Sequence, residues 1–275
     1  MIRYEETLYR PPSEAHSLIL QATLGCSYNE CAFCGMYRNK RFRVRPLAEL
    51  LDEIETVRRS GLAPHVRKVF LADGDALVAK ASFLAKLLDA LADAFPALRQ
   101  VSCYASPQSL AVRSVEEMRD LRERGLTLYY LGVESGHDAV LEALRKGVDA
   151  DEMVRVAGKA TEAGVRLSTM ILLGAGGREL SLEHAKASAD VINRMQPRFV
   201  STLVMTPVEG TPLFERDRRG EVDHLDVFEL ARELRAFIEG LELEGSIFRS
   251  NHASNRIALA GTLPKDKARL LAALG

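Results

Sequence analysis

Short apolar runs alternate with longer amphipathic stretches along the first two hundred or so residues. The runs are SLILQAT (17–23), KVFLA (68–72), QVSCYA (100–105), TLYYLGV (127–133), RLSTMILL (166–173) and RFVSTLVM (198–205). Each has the length and side-chain content of a strand, and the pattern predicts repeated βα units around a parallel sheet. Between the runs, Leu47, Leu50, Leu51, Ile54 and Val57 recur at helical spacing, as do Leu84, Leu87, Leu88, Leu91 and Phe95. AVLEAL and EMVRVAGKATEAG predict one crossover with a broken helix, and Ser181 stands as the N-cap of LEHAKASADVINRM. Gly125 and Gly164 sit just before strands, where helix C-caps belong.

Six such units with right-handed crossovers predict an α/β fold, a partial (β/α)6 barrel rather than a doubly wound sheet. After residue 206 the pattern changes: a turn-rich TPVEGTPLFERDRRGEVDH leads into an amphipathic helix at 227–241. SIFRSNHASNRI then reads as a short strand and loop, and PKDKARLLAALG as a terminal helix. The expected organisation is a core over 1–206 with a C-terminal elaboration over 207–275 packed on the barrel. GCSYNEC, DGDA, SPQS, ESGHD, GAGGRE and TPVEG each follow a strand's carboxyl end, where parallel α/β folds bind ligands.

Composition narrows the class. The 275 residues are 47% hydrophobic and 27% charged, enough for one sizeable core. A formal net charge of −1 argues against a nucleic-acid footprint over the whole surface. No apolar stretch reaches the length of a membrane span, and MIRYEETLYRPPSEAH lacks the basic and apolar segments of a signal peptide. A cytoplasmic protein is expected, and in a reducing compartment clustered cysteines point to metal ligation or thiol chemistry rather than disulfides.

Three of the four cysteines, Cys26, Cys31 and Cys34, have the spacing C-x4-C-x2-C, while Cys103 falls in the core pattern of QVSCYA. Three thiolates leave one position of a metal centre open. A structural zinc would need a fourth ligand, and the loop holds no histidine. A ferredoxin-type [2Fe–2S] site would have to recruit Cys103. From the residues, an iron–sulfur centre with an open iron, electron transfer and zinc binding all stand.

With Phe33 just before the last cysteine, the chain resembles the radical S-adenosylmethionine (SAM) superfamily over nearly its whole length. The usual spacing there is C-x3-C-x2-C, one residue shorter in the first gap. The resemblance implies a [4Fe–4S] cluster on Cys26, Cys31 and Cys34, with SAM chelating the open iron. One-electron cleavage of SAM to a 5′-deoxyadenosyl radical and abstraction of a substrate hydrogen would follow, fed by a reductant such as flavodoxin or ferredoxin. Asp73, Gly74 and Asp75 in LADGDAL match the turn that receives the methionyl amine. LGVESG looks like the branch that includes tRNA methylthiotransferases, Elongator-type and B12-binding members. It implies Glu134 at the ribose, with Ser135 and Gly136 allowing close backbone approach. LRKG implies Lys146 near the SAM carboxylate. MILLGAGGRE and LVMTPVEGTPLF imply Leu173, Gly174, Val204 and Met205 around adenine.

Two polar stretches concern the substrate. RNKRFRVR, with Arg38, Lys40, Arg41, Arg43 and Arg45, reads either as attraction for an anionic substrate, nucleic acid or reductant, or as a solvated loop or edge strand. FRSNHASNR gathers Arg249, Asn251, His252 and Asn255 as substrate-pocket candidates, with His252 a possible acid or base. The remaining length favours a small or peptide-like substrate over RNA, with RNA modification as one alternative. A non-catalytic electron-transfer or zinc-binding protein is another.

Overall fold

The computed structural model describes residues 2 and 4–275. The chain opens with β1 (Leu18–Gln21), β2 (Thr23–Leu24), β3 (Arg43–Val44), α1 (Leu47–Arg59), β4 (Lys68–Ala72) and α2 (Ala81–Ala94). It continues with β5 (Gln100–Ala105), α3 (Pro107–Val112), α4 (Val115–Glu123), β6 (Leu126–Glu134), α5 (Asp138–Ala143) and α6 (Ala150–Glu162). β7 (Arg166–Leu173), α7 (Ser181–Met195), β8 (Phe199–Val204), α8 (Pro212–Arg218), α9 (Val227–Gly240), β9 (Ile247–Ser250), β10 (Leu259–Thr262) and α10 (Lys267–Ala272) complete it. The sheet order is β1-β4-β5-β6-β7-β8-β9-β10, with β2 and β3 forming a separate antiparallel pair. β1 with β4, β4 with β5, β7 with β8 and β8 with β9 pair in parallel, and β10 runs antiparallel to β9. The six expected strands are therefore present almost to the residue, and of the readings open for RNKRFRVR the short strand is present as β3. Unexpected was β10, whose LAGT has no run of apolar or β-branched residues to announce it. Among the described residues no helix is long and apolar enough to cross a membrane.

The chain forms two compact units that divide within β6. The first comprises residues up to Asn29, Met36–Tyr130 and Lys159–Arg166. In it, α1 buries Leu50, Ile54 and Val57 and α2 buries Leu84, Leu87, Leu88 and Leu91, each such side chain contributing roughly 1.5–3 kcal/mol. Ile19, Phe70 and Ala72 pack with Leu8, Tyr104 and Tyr130, the rings of Phe70 and Tyr104 meeting edge to face 5.1 Å apart. The basic stretch is largely paired within this unit: Lys40 with Asp73, Arg43 with Glu5, and Arg45 with Glu49 and Glu53. Lys40 and Arg45 are buried rather than solvated.

The second unit comprises Glu30–Gly35, Leu131–Gly158 and Leu167–Gly275. Along β7, β8 and β9, Thr169, Ile171, Val200, Thr202, Phe248 and Ser250 are buried on one face, whereas Met170, Ser201 and Arg249 on the other are partly or fully exposed. α7 and α9 pack together, and Gly240 makes this possible because a Cβ there would lie 2.8 Å from Ala189 Cβ. α7 also runs close to the turn after β6: a Cβ on Gly136 would stand 2.2 Å from the Ala187 carbonyl oxygen, and the Gly136 N–H donates to Ser188 Oγ at 2.9 Å.

Ser181 departs from expectation. It is the first residue of α7, not its cap, and its hydroxyl donates to Glu233 Oε2 at 2.6 Å while Leu180 stands at the N-cap without a side-chain bond. A fully buried carboxylate left without donors costs more than an uncapped helix end, and that decides where the hydroxyl points. Glu233, on α9, also accepts the Gly174 N–H at 2.7 Å and lies 3.8 Å from His184 Nε2.

Burial pushes the Glu233 carboxyl from an ordinary 4.5 up to about 7. A raised carboxyl stabilises the fold fully below its unfolded pKa, and that contribution is lost as pH rises through the folded value, amounting to roughly 3 kcal/mol. Urea unfolding between pH 5 and 8 is expected to show the stability of the wild type relative to Glu233→Gln falling as pH rises across this window, the opposite contribution of the buried neutral His184 being common to both proteins and cancelling in the difference. Parallel curves would contradict this. Gly136→Ala is expected to destabilise by about 1–3 kcal/mol through its clash with the α7 backbone, measured by the same unfolding assay.

Candidate cofactor site

In the first unit the turn after β4 lies against the chain that follows β2. The Gly74 N–H donates to the Gly25 carbonyl at 3.0 Å, and a Cβ on Gly74 would lie 2.6 Å from the Tyr37 ring and 2.9 Å from Cys26 Cβ. Only a residue without a side chain lets the two segments approach this closely. Both oxygens of Asp73 are occupied: Oδ1 accepts from Gln21 Nε2 at 3.2 Å, and Oδ2 from the Gly25 N–H at 3.1 Å and Lys40 Nζ at 2.9 Å. Asp73 thereby ties Gln21, the Gly25 backbone and Lys40 together. Asp75 differs. Fully buried, it receives Ser27 Oγ at 2.6 Å and Ser106 Oγ at 2.7 Å on Oδ2, while Oδ1 has no hydrogen-bond partner among the described residues. Burial raises its pKa against the lowering effect of these hydroxyls. Cys103, on β5, is fully buried, which pushes its thiol well above the ordinary value, consistent with core packing.

In the second unit the loop bearing Cys31 and Cys34 is fixed by its own backbone. The Ala32 N–H donates to Leu144 O at 2.8 Å, and the Leu213 N–H donates to Ala32 O at 2.9 Å. Phe33 packs with Val140, Leu144, Leu172, Leu203 and Met205. β6 ends at Glu134, whose φ of 69° is uncommon for a residue with a side chain. α5 ends in a Schellman arrangement: Arg145 takes φ 52°, its N–H donates to Glu142 O at 2.9 Å, and the Lys146 N–H donates to Leu141 O at 2.9 Å. This turn brings Lys146 Nζ to 3.1 Å from Glu134 Oε1, with both side chains nearly buried. Burial opposes the Lys146 charge, but Glu134 and the thiolates of Cys31 and Cys34 outweigh it and hold the ammonium's pKa above its ordinary value. Lys146 is thus an internal cation, not a solvated helix-end lysine. Glu134 Oε2 is buried and has no hydrogen-bond partner among the described residues.

Other expected site residues have different surroundings. Ser135 Oγ bonds His184 Nδ1 at 2.8 Å and accepts the His137 N–H, so Ser135 anchors the turn to α7. Burial pushes His184 down to about 4, leaving it neutral. Its Nε2–H then donates to Leu172 O at 3.0 Å and its Nδ1 accepts from Ser135. The Gly174 N–H is taken by Glu233. Leu173 and Val204 pair in register and line a pocket with Val227, Leu230 and Leu234, whereas the Phe33 cluster takes Leu172 and Leu203 from the alternate positions. Met205 belongs to that cluster. Asn255 ties the end of β8, accepting the Val204 N–H at 2.9 Å and donating to Thr202 O at 2.7 Å, so its amide is engaged by backbone. His252 is exposed and bonds Ser254 within its own turn. Arg249 and Asn251 are exposed as well. Leu172 and Leu203 lie within MILLGAGGRE and LVMTPVEGTPLF beside the residues expected at adenine, whereas His184 and Glu233 carried no motif. Only strand alternation distinguishes the two leucines, and nothing marked His184 and Glu233 beyond a polar residue within an amphipathic helix.

Residues 20–188 match the family model of the radical SAM superfamily. A curated relative, an uncharacterised protein of Methanocaldococcus jannaschii, is 25% identical over 121 residues, covering 44% of this chain but only 37% of its own length. The structure of methylornithine synthase (PylB) superposes with a TM-score of 0.58 at 17% identity, over 94% of this chain and 69% of that one. Archaeal Elp3 of Methanocaldococcus infernus superposes with a TM-score of 0.54 at 17% identity, over 86% and 57%. At these identities the two structures speak for the α/β fold, with its mostly parallel sheet of the partial-barrel type. The family model spans more than half of the sequence, and on that ground the chain belongs to the radical SAM superfamily, whose enzymes bind a [4Fe–4S] cluster and S-adenosylmethionine.

Proposed function

We propose that this chain holds a [4Fe–4S] cluster on Cys26, Cys31 and Cys34, binds SAM beside it, and abstracts hydrogen from a small or peptide-like substrate. When bound, the cluster supplies the electron for reductive cleavage of SAM, whose 5′-deoxyadenosyl radical takes the hydrogen. The observation that carries this reading is the Glu134–Lys146 pair beside Cys31 and Cys34, with Glu134 Oε2 buried and unmet. An unmet buried carboxylate oxygen costs roughly 1–3 kcal/mol or more, which a ligand hydroxyl removes. A ribose diol has the donors for it.

Asp75 Oδ1 offers the same opportunity to the methionyl ammonium, while Ser27 and Ser106 fix the orientation of the carboxylate. Phe33, Leu172, Leu203 and Met205 supply an apolar surface suited to adenine and exclude water there. Lys146 holds positive charge beside two thiolates and Glu134, which suits the SAM carboxylate. The internal pairing of Lys40, Arg43 and Arg45 supports a small or peptide-like substrate over RNA. A flavodoxin or ferredoxin would deliver the electron, in a cytoplasm reducing enough to keep the three thiols free.

Anaerobic reconstitution with iron and sulfide, followed by dithionite and SAM, is expected to release 5′-deoxyadenosine, detected by chromatography. Replacing Cys26, Cys31 or Cys34 singly by Ala abolishes the cluster's visible absorption, whereas Cys103→Ala keeps it. Loss in the Cys103 variant would replace this reading with a four-cysteine centre. Glu134→Ala weakens SAM binding by about ten-fold or more in equilibrium dialysis, and an unchanged affinity would move the ribose elsewhere.

A further inference from the structure

The face of the second unit's sheet that carries Leu172 and Leu203 continues beyond β8. Met170 on β7, Ser201 on β8 and Arg249 on β9 are partners across the parallel register, one row below Leu172 and Leu203. Side chains in register on parallel strands, and those two residues apart on one strand, point to the same side. Arg249 therefore shares the face on which Phe33 packs, with its Cα roughly 12 Å from that of Leu172 by strand spacing and rise. Its neighbours in the strand, Phe248 and Ser250, are buried on the opposite face.

The Arg249 side chain is exposed and makes no hydrogen bond or ion pair among the described residues, unlike those of Arg178, Arg194 and Arg235 of the same unit, which are matched to carboxylates. A guanidinium presents a planar fork of donors that fits a carboxylate or a phosphate in two parallel bonds. Met170 and Ser201 lie between it and the Phe33 cluster, giving a partly apolar surface that ends in one unmatched positive charge.

We propose that Arg249 binds an anionic group of the substrate, a carboxylate or a phosphate, with the body of the substrate lying along Met170 and Leu203 toward the cofactor side. This rests on the enzyme reading above for the word substrate, but the anion site can be measured without it.

The test is calorimetric titration of the full chain, at constant ionic strength, with inorganic phosphate and separately with succinate. The proteins compared are the wild type, Arg249→Gln and Arg249→Lys, with Arg256→Gln as a control. Arg256 is an exposed arginine that lines the pocket formed by Leu173 and Val204. One of the two anions is expected to bind the wild type and Arg256→Gln alike, and to bind Arg249→Gln about ten-fold or more weakly. Whichever anion loses affinity identifies the group. Arg249→Lys, which keeps the charge and loses the fork, is expected to fall between, and it is the deciding variant if Arg249→Gln does not fold. The proposal is overturned if neither anion binds the wild type, if the Arg249 variants bind as the wild type does, or if Arg256→Gln loses as much. Release of 5′-deoxyadenosine by the wild type separates the two readings. Release with anion binding indifferent to Arg249 removes only this inference, while Arg249-dependent binding without release removes only the enzyme reading.

Discussion

A carboxylate and an ammonium withdrawn from water each cost several kcal/mol unless they face one another at hydrogen-bonding distance. Glu134 and Lys146 meet that condition, and much of the second unit's local structure serves it. Gly132 leaves the space: a Cβ there would lie 2.0 Å from Glu134 Oε1 and 3.1 Å from Lys146 Nζ. Glu134 adopts a left-handed backbone at the end of β6, and the Schellman turn after α5 returns Lys146 to it. Ser135 and Gly136 then fasten the same turn to α7 through His184 and Ser188. The segment LGVESG is thus one device, in which a glycine, an acid, a hydroxyl and a second glycine each meet a separate steric or electrostatic demand.

Support for this device reaches into the C-terminal region. His184 is kept neutral by burial and joins Ser135 to the backbone of β7 at Leu172. Glu233, from α9, holds the Gly174 N–H and the first residue of α7 together. The glycine turn after β7 therefore owes its position to a helix well outside the residues that announce the family. A polar network buried this deeply tolerates few changes, because an orphaned partner would keep its desolvation cost.

What the sequence made legible follows from the same physics. β1, β4, β5, β6 and β7 are buried along most of their length and read as apolar runs, and the half-buried β8 keeps a similar apolar content, so all six could be placed before their partners were known. Cysteine spacing is local and needed no tertiary information. By contrast, the run MILL contains no polar residue to reveal its alternation, so only the register shows that Leu172 and Leu203 join the Phe33 cluster while Leu173 and Val204 face the pocket with Val227. The two acids of DGDA could not be ranked without Lys40, Gln21 and the Gly25 N–H, which satisfy Asp73 and leave Asp75 with an open oxygen. The basic stretch looked solvated or substrate-directed because its partners Glu5 and Asp73 lie far off in sequence. Charge patterns reveal the supply of cations, not their pairing.

The segment matched by the family model ends at residue 188, within α7. The three cysteines, Asp75, Glu134 and Lys146, proposed above for the cofactors, fall inside it. Leu203 and Met205, proposed for adenine, fall beyond it together with Glu233 and Arg249. A superfamily whose members share one cofactor chemistry and differ in substrate should place its variation where the sheet can be extended without disturbing that chemistry. β9 does this by adding in parallel to β8, after which β10 turns back antiparallel. The extension adds Arg249 to a face already begun by Leu172 and Leu203. A charge acquired there changes which molecules can lie against the apolar rows while leaving the Glu134–Lys146 pair untouched.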